Sequence, residues 1–300
     1  MANEKPKVSV CIITYNSSDT VVELLNSILL QSYGPENIEL VISDDTSTDS
    51  TIKVIESWLN NHKAKFSNVI LNINDENLGI SKNFEKVLLL STSNYIKSIA
   101  ADDVLKIKAL EIYMESISVT SSGIIFSRVE RFSYKDGKKI ILDIVPSSLQ
   151  NINSFNNLNA KTQFDRLFLK RKEVSRQELF LCASSLFFKR SILKDILDAP
   201  KCRNLEDYPT WLFLLGVKNK QIKILKDILV EYNHGEGISF NYKKSLKNKI
   251  DILNDIIFIK KYFVKYLESK KRIKVYISIA NLYYKLYVYK MKFFLKYILL

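Results

Sequence analysis

A mostly parallel α/β sheet is the fold class that three observations predict. Through the first hundred residues, β-branched runs with few charges alternate with segments of helical spacing. Each run ends in a loop rich in Asn, Asp, Ser and Thr, and no internal repeat interrupts the order.

The elements follow in turn. Val8 to Thr14 (VSVCIIT) has no charge and reads as a strand buried on both faces. Tyr15-Asn16-Ser17-Ser18-Asp19 supplies turn and cap chemistry, and VVELLNSILLQS then spaces its apolar residues as a helix does. Ile38 to Ser43 predicts a second strand, DDTSTDST its loop, and Ile52 to Leu59 a second helix. NVILNI gives way to NDENLGISKN and a helix reaching Leu90, and NYIKSIA runs into Asp102-Asp103. Right-handed crossovers between parallel strands bring every one of these loops to one sheet edge, where α/β folds bind ligands. From Gly123 the pattern turns mixed. GIIFSRVERFSY and KKIILDIV predict a hairpin around Lys135-Asp136-Gly137, and the Asn-rich stretch from Gln150 to Lys172 reads as a surface loop or short helices. LFLCASSLFFKRSIL reads as a strand entering a helix, followed by NLEDYPTWLFLLG and a strand-like QIKILKDILVEYNHG.

With 300 residues, 47% of them hydrophobic, the chain can build one large core or a core with an appended element, which excludes global disorder. Cys11, Cys182 and Cys202 are far apart and form no CxxC pair, so neither a disulfide framework nor a structural zinc is expected, and a reducing cytoplasm fits. MANEKPKVSV is not a secretory signal, and no window supplies the ~18 uninterrupted apolar residues of a membrane span. The net charge of +13 is unevenly placed: residues 241–300 hold 15 Lys/Arg against 3 Asp/Glu. A nucleic-acid binder would spread its basicity over the folded part, so none is expected as partner.

The pair Asp102-Asp103 in SIAADDVLKI invites two readings. Adjacent carboxylates repel each other, and a hard divalent cation with oxygen ligands would reverse that cost. Alternatively, Asp102 caps a helix starting near Val104. Asp45 has the same bland alternative, a cap on the second helix, and Tyr15 that of an ordinary loop aromatic.

PKVSVCIITYN, IELVISDDTSTDST, NLGISKN, YIKSIAADDVL and NLEDYPTWL, taken together and in this order, resemble the successive motifs of the family-2 glycosyltransferases of bacterial surface-polysaccharide type. The resemblance covers residues 6–105 closely, 176–240 in part, and leaves the basic tail out. It implies the GT-A fold, with 1–240 as catalytic domain (1–105 the nucleotide-binding half, 106–240 the acceptor half); 241–300 is read from its charge and helical spacing as a basic amphipathic helical tail. It also implies a hexosyl- or N-acetylhexosaminyltransferase that takes a nucleotide-sugar, in most members a UDP-sugar. Carried over by position, Thr14, Tyr15, Asn16 and Asp45 hold the nucleotide base. Asn77, Gly79, Lys82 and Asn83 match the loop and helix start beside it. Asp102 serves ribose or metal, and Asp103 holds the Mn2+ or Mg2+ that bridges the donor diphosphate. Many members read D-A-D-D where this chain has A-A-D-D, so Ala100 stands in place of the first carboxylate. In the E-D motif, Asp207 is the expected base toward the acceptor hydroxyl and Glu206 its reserve, a base being needed because the hydroxyl proton leaves as the bond forms. An acidic cap on a helix starting near Pro209 is the alternative there. His234 resembles a position near the donor phosphates, with a structural hydrogen-bonding histidine as its alternative. Trp211 fits core packing better than an acceptor floor, and His62 reads as a solvated loop residue.

On a helical wheel Lys274, Ser278, Asn281, Lys285, Lys292 and Lys296 form one polar stripe on an otherwise apolar and aromatic cylinder. Aromatics interleaved with lysines suit an anionic membrane surface, with docking on the protein itself or on a second subunit as the alternative. The expectation is therefore an inverting, metal-dependent glycosyltransferase peripheral to the inner face of the cell membrane. It would extend a lipid-linked or oligosaccharide acceptor for capsule, O-antigen or related polymers. Two rivals stand beside it. Another nucleotide-using enzyme lacks its G-x-G-x-x-G loop here, while Ala100 keeps open a non-catalytic nucleotide-binding or membrane-scaffold protein of the same fold.

Overall fold

The computed structural model describes residues 5–169, 179–202, 205, 207–234 and 245–298, with side chains as far as Phe294. Strands β1 (Val8–Thr14), β2 (Ile38–Asp44), β3 (Asn68–Ile73) and β4 (Tyr95–Ala100) are joined by helices α1 (Val21–Leu29), α2 (Thr51–His62) and α3 (Ile80–Leu90). They lie parallel in the order β3-β2-β1-β4. Thr14 pairs with Asp44, Asp44 with Ile73, and Ile13 with Ala100, so all four strands end level. That register brings the four polar loops to one edge.

The rest of the sheet is interleaved. β5 (Val104–Leu105), α4 (Ala109–Val119), β6 (Ile124–Lys135) and β7 (Lys138–Val145) are followed by α5 (Leu149–Asn156) and α6 (Ala160–Leu169). Then come β8 (Leu186–Lys189), α7 (Leu193–Leu197), α8 (Asp207–Gly216) and β9 (Lys223–Asn233). Sheet order continues β4-β8-β6-β9-β5, with β8 antiparallel to both neighbours, β6 parallel to β9, and β7 paired on β6. The β6–β7 hairpin turns through Asp136 and Gly137, both at positive φ, as a two-residue turn requires.

Strand alternation sorts the core into two layers. Val8, Val10 and Ile12 of β1 face one layer with Leu24, Leu25 and Ile28 of α1, whereas Cys11 faces the other with Val87 and Leu88 of α3. Of the two readings of the Asn-rich stretch, a surface loop or short helices, the structure has the short helices. α5 and α6 bury Ile152, Phe155, Phe164 and Phe168 completely or nearly so, because apolar residues spaced three and four apart make one helix face despite the Asn-rich composition. Residues 170–172 of that stretch lie outside the described residues. The chain ends in α9 (Leu246–Phe263) and the thirty-residue α10 (Ser269–Ile298). Ile259 and Phe263 of α9 and Val275 and Ile279 of α10 belong to the main core. Among the described residues no helix is long and apolar enough to cross a membrane.

Candidate functional site

At the level edge, the loops after β1, β2 and β3 are stitched together. Asn16 sits at positive φ, its backbone N–H donates to Ser47 Oγ (2.8 Å), and its Oδ1 accepts from the Thr48 N–H (2.8 Å). Tyr15 beside it is 44% exposed, its ring open to solvent. Thr14 is buried, and its hydroxyl finds no hydrogen-bond partner among the described residues.

Asp45 is not the cap of α2, which begins at Thr51 with Asp49 Oδ1 accepting the Thr51 N–H. Its buried carboxylate instead holds the loop before α3. Oδ1 accepts from the Leu78 N–H (2.8 Å) and Asn74 Nδ2 (3.0 Å), and Oδ2 from the Gly79 N–H (2.8 Å). Oδ2 thus retains one lone pair for a further donor. Asn77 closes the same loop onto the Asp45 carbonyl (3.1 Å). Lys82 is exposed on the first turn of α3. Asn83 is buried, bonded to the Ser43 hydroxyl and carbonyl and to Asn74, so it pins β2 to α3.

The helix-cap alternative for Asp102 fails. Val104–Leu105 forms a short strand against β9, and the next helix starts at Ala109. Asp103 is 1% exposed, its Oδ1 accepts from the Asn233 N–H (2.8 Å), and the nearby Ser184 side chain favours its charged form. Its Oδ2 is buried with no partner among the described residues. Burial, and then the charge of Asp102, push the Asp103 carboxyl well above the usual range, and burial raises Asp102 as well. Two carboxylates with this proton affinity and one orphaned oxygen are short of positive charge. A divalent cation with oxygen ligands fits them, and it would need further oxygens from a bound diphosphate. Among the described residues no group of three or more His, Cys, Asp or Glu is placed to hold a metal ion by itself.

On the other side of the 183–185 turn, Asp207 opens α8 and its Oδ2 accepts the Ala183 N–H (3.0 Å). Tyr232 shows that the three aspartates share one neighbourhood. Burial first, then Asp103, Cys182, Asp102 and Asp207, raise its phenol well above the usual value. Glu206 lies outside the described residues. His234 follows Asn233 and is half-buried, its N–H donating to the Phe132 carbonyl (2.7 Å). Trp211 is 2% exposed, edge-on to Phe126 and bonded to the Leu181 carbonyl, so it is core. His62 is a correction: it ends α2 half-buried, with its ring 4.6 Å from that of Trp58.

Sequence reading missed Lys97, Ser184, Asn233 and Tyr232. Lys97 is the one with a legible signal, a lone charge inside the apolar NYIKSIA. It is fully buried, and burial draws its ammonium down to about 7.

The profile of glycosyl transferase family 2 matches residues 9–197. The chain is 37% identical over 112 residues to an abequosyltransferase of Salmonella typhimurium, covering 36% of this chain and 33% of that protein. To a UDP-Glc:α-D-GlcNAc-diphosphoundecaprenol β-1,3-glucosyltransferase of Escherichia coli it is 28% identical, covering 83% and 86%. The first relatives are thus matched over about a third of their length or less. Among solved structures, Staphylococcus aureus TarS 1–349 in complex with UDP-GlcNAc superposes with a TM-score of 0.59 at 17% identity, covering 93% of this chain and 73% of that one. A mannosyltransferase of Pyrobaculum calidifontis with GDP-Man and Mn2+ gives 0.61 at 16%, covering 95% and 70%.

Proposed function

The chain belongs to glycosyl transferase family 2 and has the GT-A fold, and from that premise we propose an inverting, metal-dependent transfer of a sugar from a nucleotide-sugar to a saccharide acceptor. The observation that carries the proposal is the carboxylate pair at the level edge, with Asp103 Oδ2 buried and unpartnered among the described residues and Asp207 one turn of chain away.

Each residue has a physical task. Tyr15 offers a stacking face and Asp45 Oδ2 a lone pair for an imide N–H, which favours uracil and hence a UDP-sugar. Thr14, Asn16, Asn77 and Gly79 shape that pocket, with Lys82 and His234 toward the ribose and phosphates. Asp102 and Asp103 would hold Mn2+ or Mg2+, which when bound neutralises charge on the departing nucleoside diphosphate. Asp207 takes the acceptor hydroxyl proton as the new bond forms, with Glu206 as its reserve. One base and a single displacement invert the anomeric centre.

The catalytic unit in this reading is 1–240, with 1–105 for the nucleotide and 106–240 for the acceptor. Residues 241–300 form the tail that meets an anionic membrane surface on the cytoplasmic side. A lipid-linked acceptor follows from that placement, and surface-polysaccharide synthesis from the relatives' chemistry.

Sugar release or transfer is measured across UDP- and GDP-sugars, with and without Mn2+. We expect metal-dependent turnover, and losses of roughly 100-fold or more in kcat for Asp103→Asn and Asp207→Asn. Intact transfer in both variants would refute the assignment.

A further inference from the structure

A buried lysine stands in β4, the strand that leads into the carboxylate pair. Lys97 lies in the middle of β4, is 0% exposed, and donates from Nζ to the carbonyls of Ser98 (2.6 Å) and Ser184 (2.5 Å), with the Tyr113 ring 5.6 Å away. Burying an ammonium is costly, and an apolar side chain of the same length would fill the space without that cost. The ammonium's hydrogen bonds therefore ask for an explanation.

One stays on β4, at Ser98, and the other ends on the 3-10 turn Ala183–Ser185, which is the joint between the two halves of the site. Ser98 Oγ donates to the Ala183 carbonyl (2.6 Å), and the Ala100 N–H donates to Ser184 Oγ (3.3 Å). From the same turn the Ala183 N–H donates to Asp207 Oδ2 (3.0 Å), while the Ser184 side chain lies near enough to Asp103 to favour its charged form. Two adjacent residues of this turn, Ala183 and Ser184, thus lie between the proposed base and the metal-side carboxylate, and β4 holds them through Lys97, Ser98 and Ala100.

We propose that Lys97 is a positioning residue that clamps the 183–185 turn to β4 and so fixes the distance between the Asp102-Asp103 pair and Asp207. The proposal rests on the roles assigned above to those aspartates. In a single displacement the leaving group and the incoming hydroxyl lie on opposite sides of one carbon. The spacing of the groups serving them then sets the rate, and a 1 Å misplacement costs about 100-fold. Lys97 touches neither substrate, since it has no exposed surface.

The test is Lys97→Met, which removes the ammonium and keeps length and apolar bulk, read beside Lys97→Arg. We expect kcat to fall by roughly 10- to 100-fold in Lys97→Met with donor KM within about threefold, and Lys97→Arg to recover part of the loss. The base pocket rests on the loops after β1 to β3, which Lys97 does not touch, so donor KM is expected to change little. A second readout is independent of turnover: amide hydrogen exchange across residues 182–186 accelerates in Lys97→Met, while β1 and β2 exchange as in the wild type. If Lys97→Met does not fold, Ser98→Ala removes the parallel bond to the turn and carries the same two measurements. A folded variant with wild-type kcat and wild-type exchange overturns the clamp. Faster exchange at the turn in a protein whose wild type transfers no sugar would leave the clamp standing and sink the catalytic reading instead.

Discussion

Two conditions act on Asp103 in the same direction: burial favours its protonated form, and the neighbouring Asp102 favours it further. Its folded pKa therefore lies above the ordinary 3.8. Between those two values the native state binds more protons than the unfolded chain, so the stabilisation is fully present below 3.8 and is lost as pH rises through the folded value. Lys97 acts with the opposite sign in another window. Depressed from 10.5 to about 7, it leaves the native state with fewer protons there, and stability from this group grows with pH across that range. Asp103→Asn keeps an oxygen for the Asn233 N–H and removes the charge. In EDTA it should melt above the wild type at neutral pH, by about 2–4 °C per kcal/mol of strain relieved, with a flatter pH dependence on the acid side. Added Mn2+ should then raise the wild type more than the variant. Thermal denaturation across pH checks both, and a variant melting below the wild type throughout would contradict the account. The aspartates were singled out through the ordered motifs that carry the family resemblance, since a carboxylate at a strand end is by itself as readily a helix cap. Asn233 and Ser184 were not, since the first acts through a backbone N–H that only the folded sheet brings to Asp103, and the second through a turn more than eighty residues further along the chain.

The entry of α3 shows how an element carries the site. Gly79 has φ 80° and ψ 161°, a region open to glycine alone, and its N–H is the donor that Asp45 Oδ2 accepts. A Cβ there would meet nothing within 4 Å, so Gly79→Ala is opposed by backbone strain and not by crowding. We expect a loss of about 1–3 kcal/mol, seen as a lower urea midpoint at unchanged slope, together with weaker UDP binding by calorimetry. Equal stability and equal binding would mean that the loop does not depend on that backbone angle. The first four strands were read from sequence nearly to the residue, because buried parallel strands and their caps are local patterns. Beyond Gly123 the order β4-β8-β6-β9-β5 joins segments far apart in the chain, and nothing in a period-two pattern ranks such pairings. The two-residue β5 was too short to register as a strand, which is why the helix cap at Asp102 stood as a rival until the fold removed it.

At the scale of the whole molecule, the tail resolves into two faces. Val275, Ile279, Leu282, Leu286 and Tyr289 recur at intervals of four and three along α10 and pack inward, the last three with Ile250, Leu253 and Ile257 of α9. Self-docking, the alternative to membrane contact, is therefore realised along this one seam. Opposite it, Ile273, Tyr276, Ile277, Tyr284, Tyr287 and Phe294 remain exposed, Tyr284 at 73%. The lysine stripe runs between the two faces, Lys274, Lys285 and Lys292 being exposed, while the side chain of Lys296 lies outside the described residues. A second copy of this face would bring two strongly basic tails together, whereas anionic headgroups neutralise the lysines and accept tyrosine rings at their depth. Cutting the chain near Ser239 would be a poor test, because it strips Ile259, Phe263, Val275 and Ile279 from the core. Substituting Tyr284, Tyr287 and Phe294 together by Ser leaves the seam intact. Cosedimentation with vesicles containing phosphatidylglycerol should then fall by about tenfold or more, at unchanged Tm, and wild-type binding should weaken with salt and be slight on phosphatidylcholine alone. Undiminished binding by the triple variant, or equal binding to both vesicles, would place the membrane contact elsewhere on the molecule.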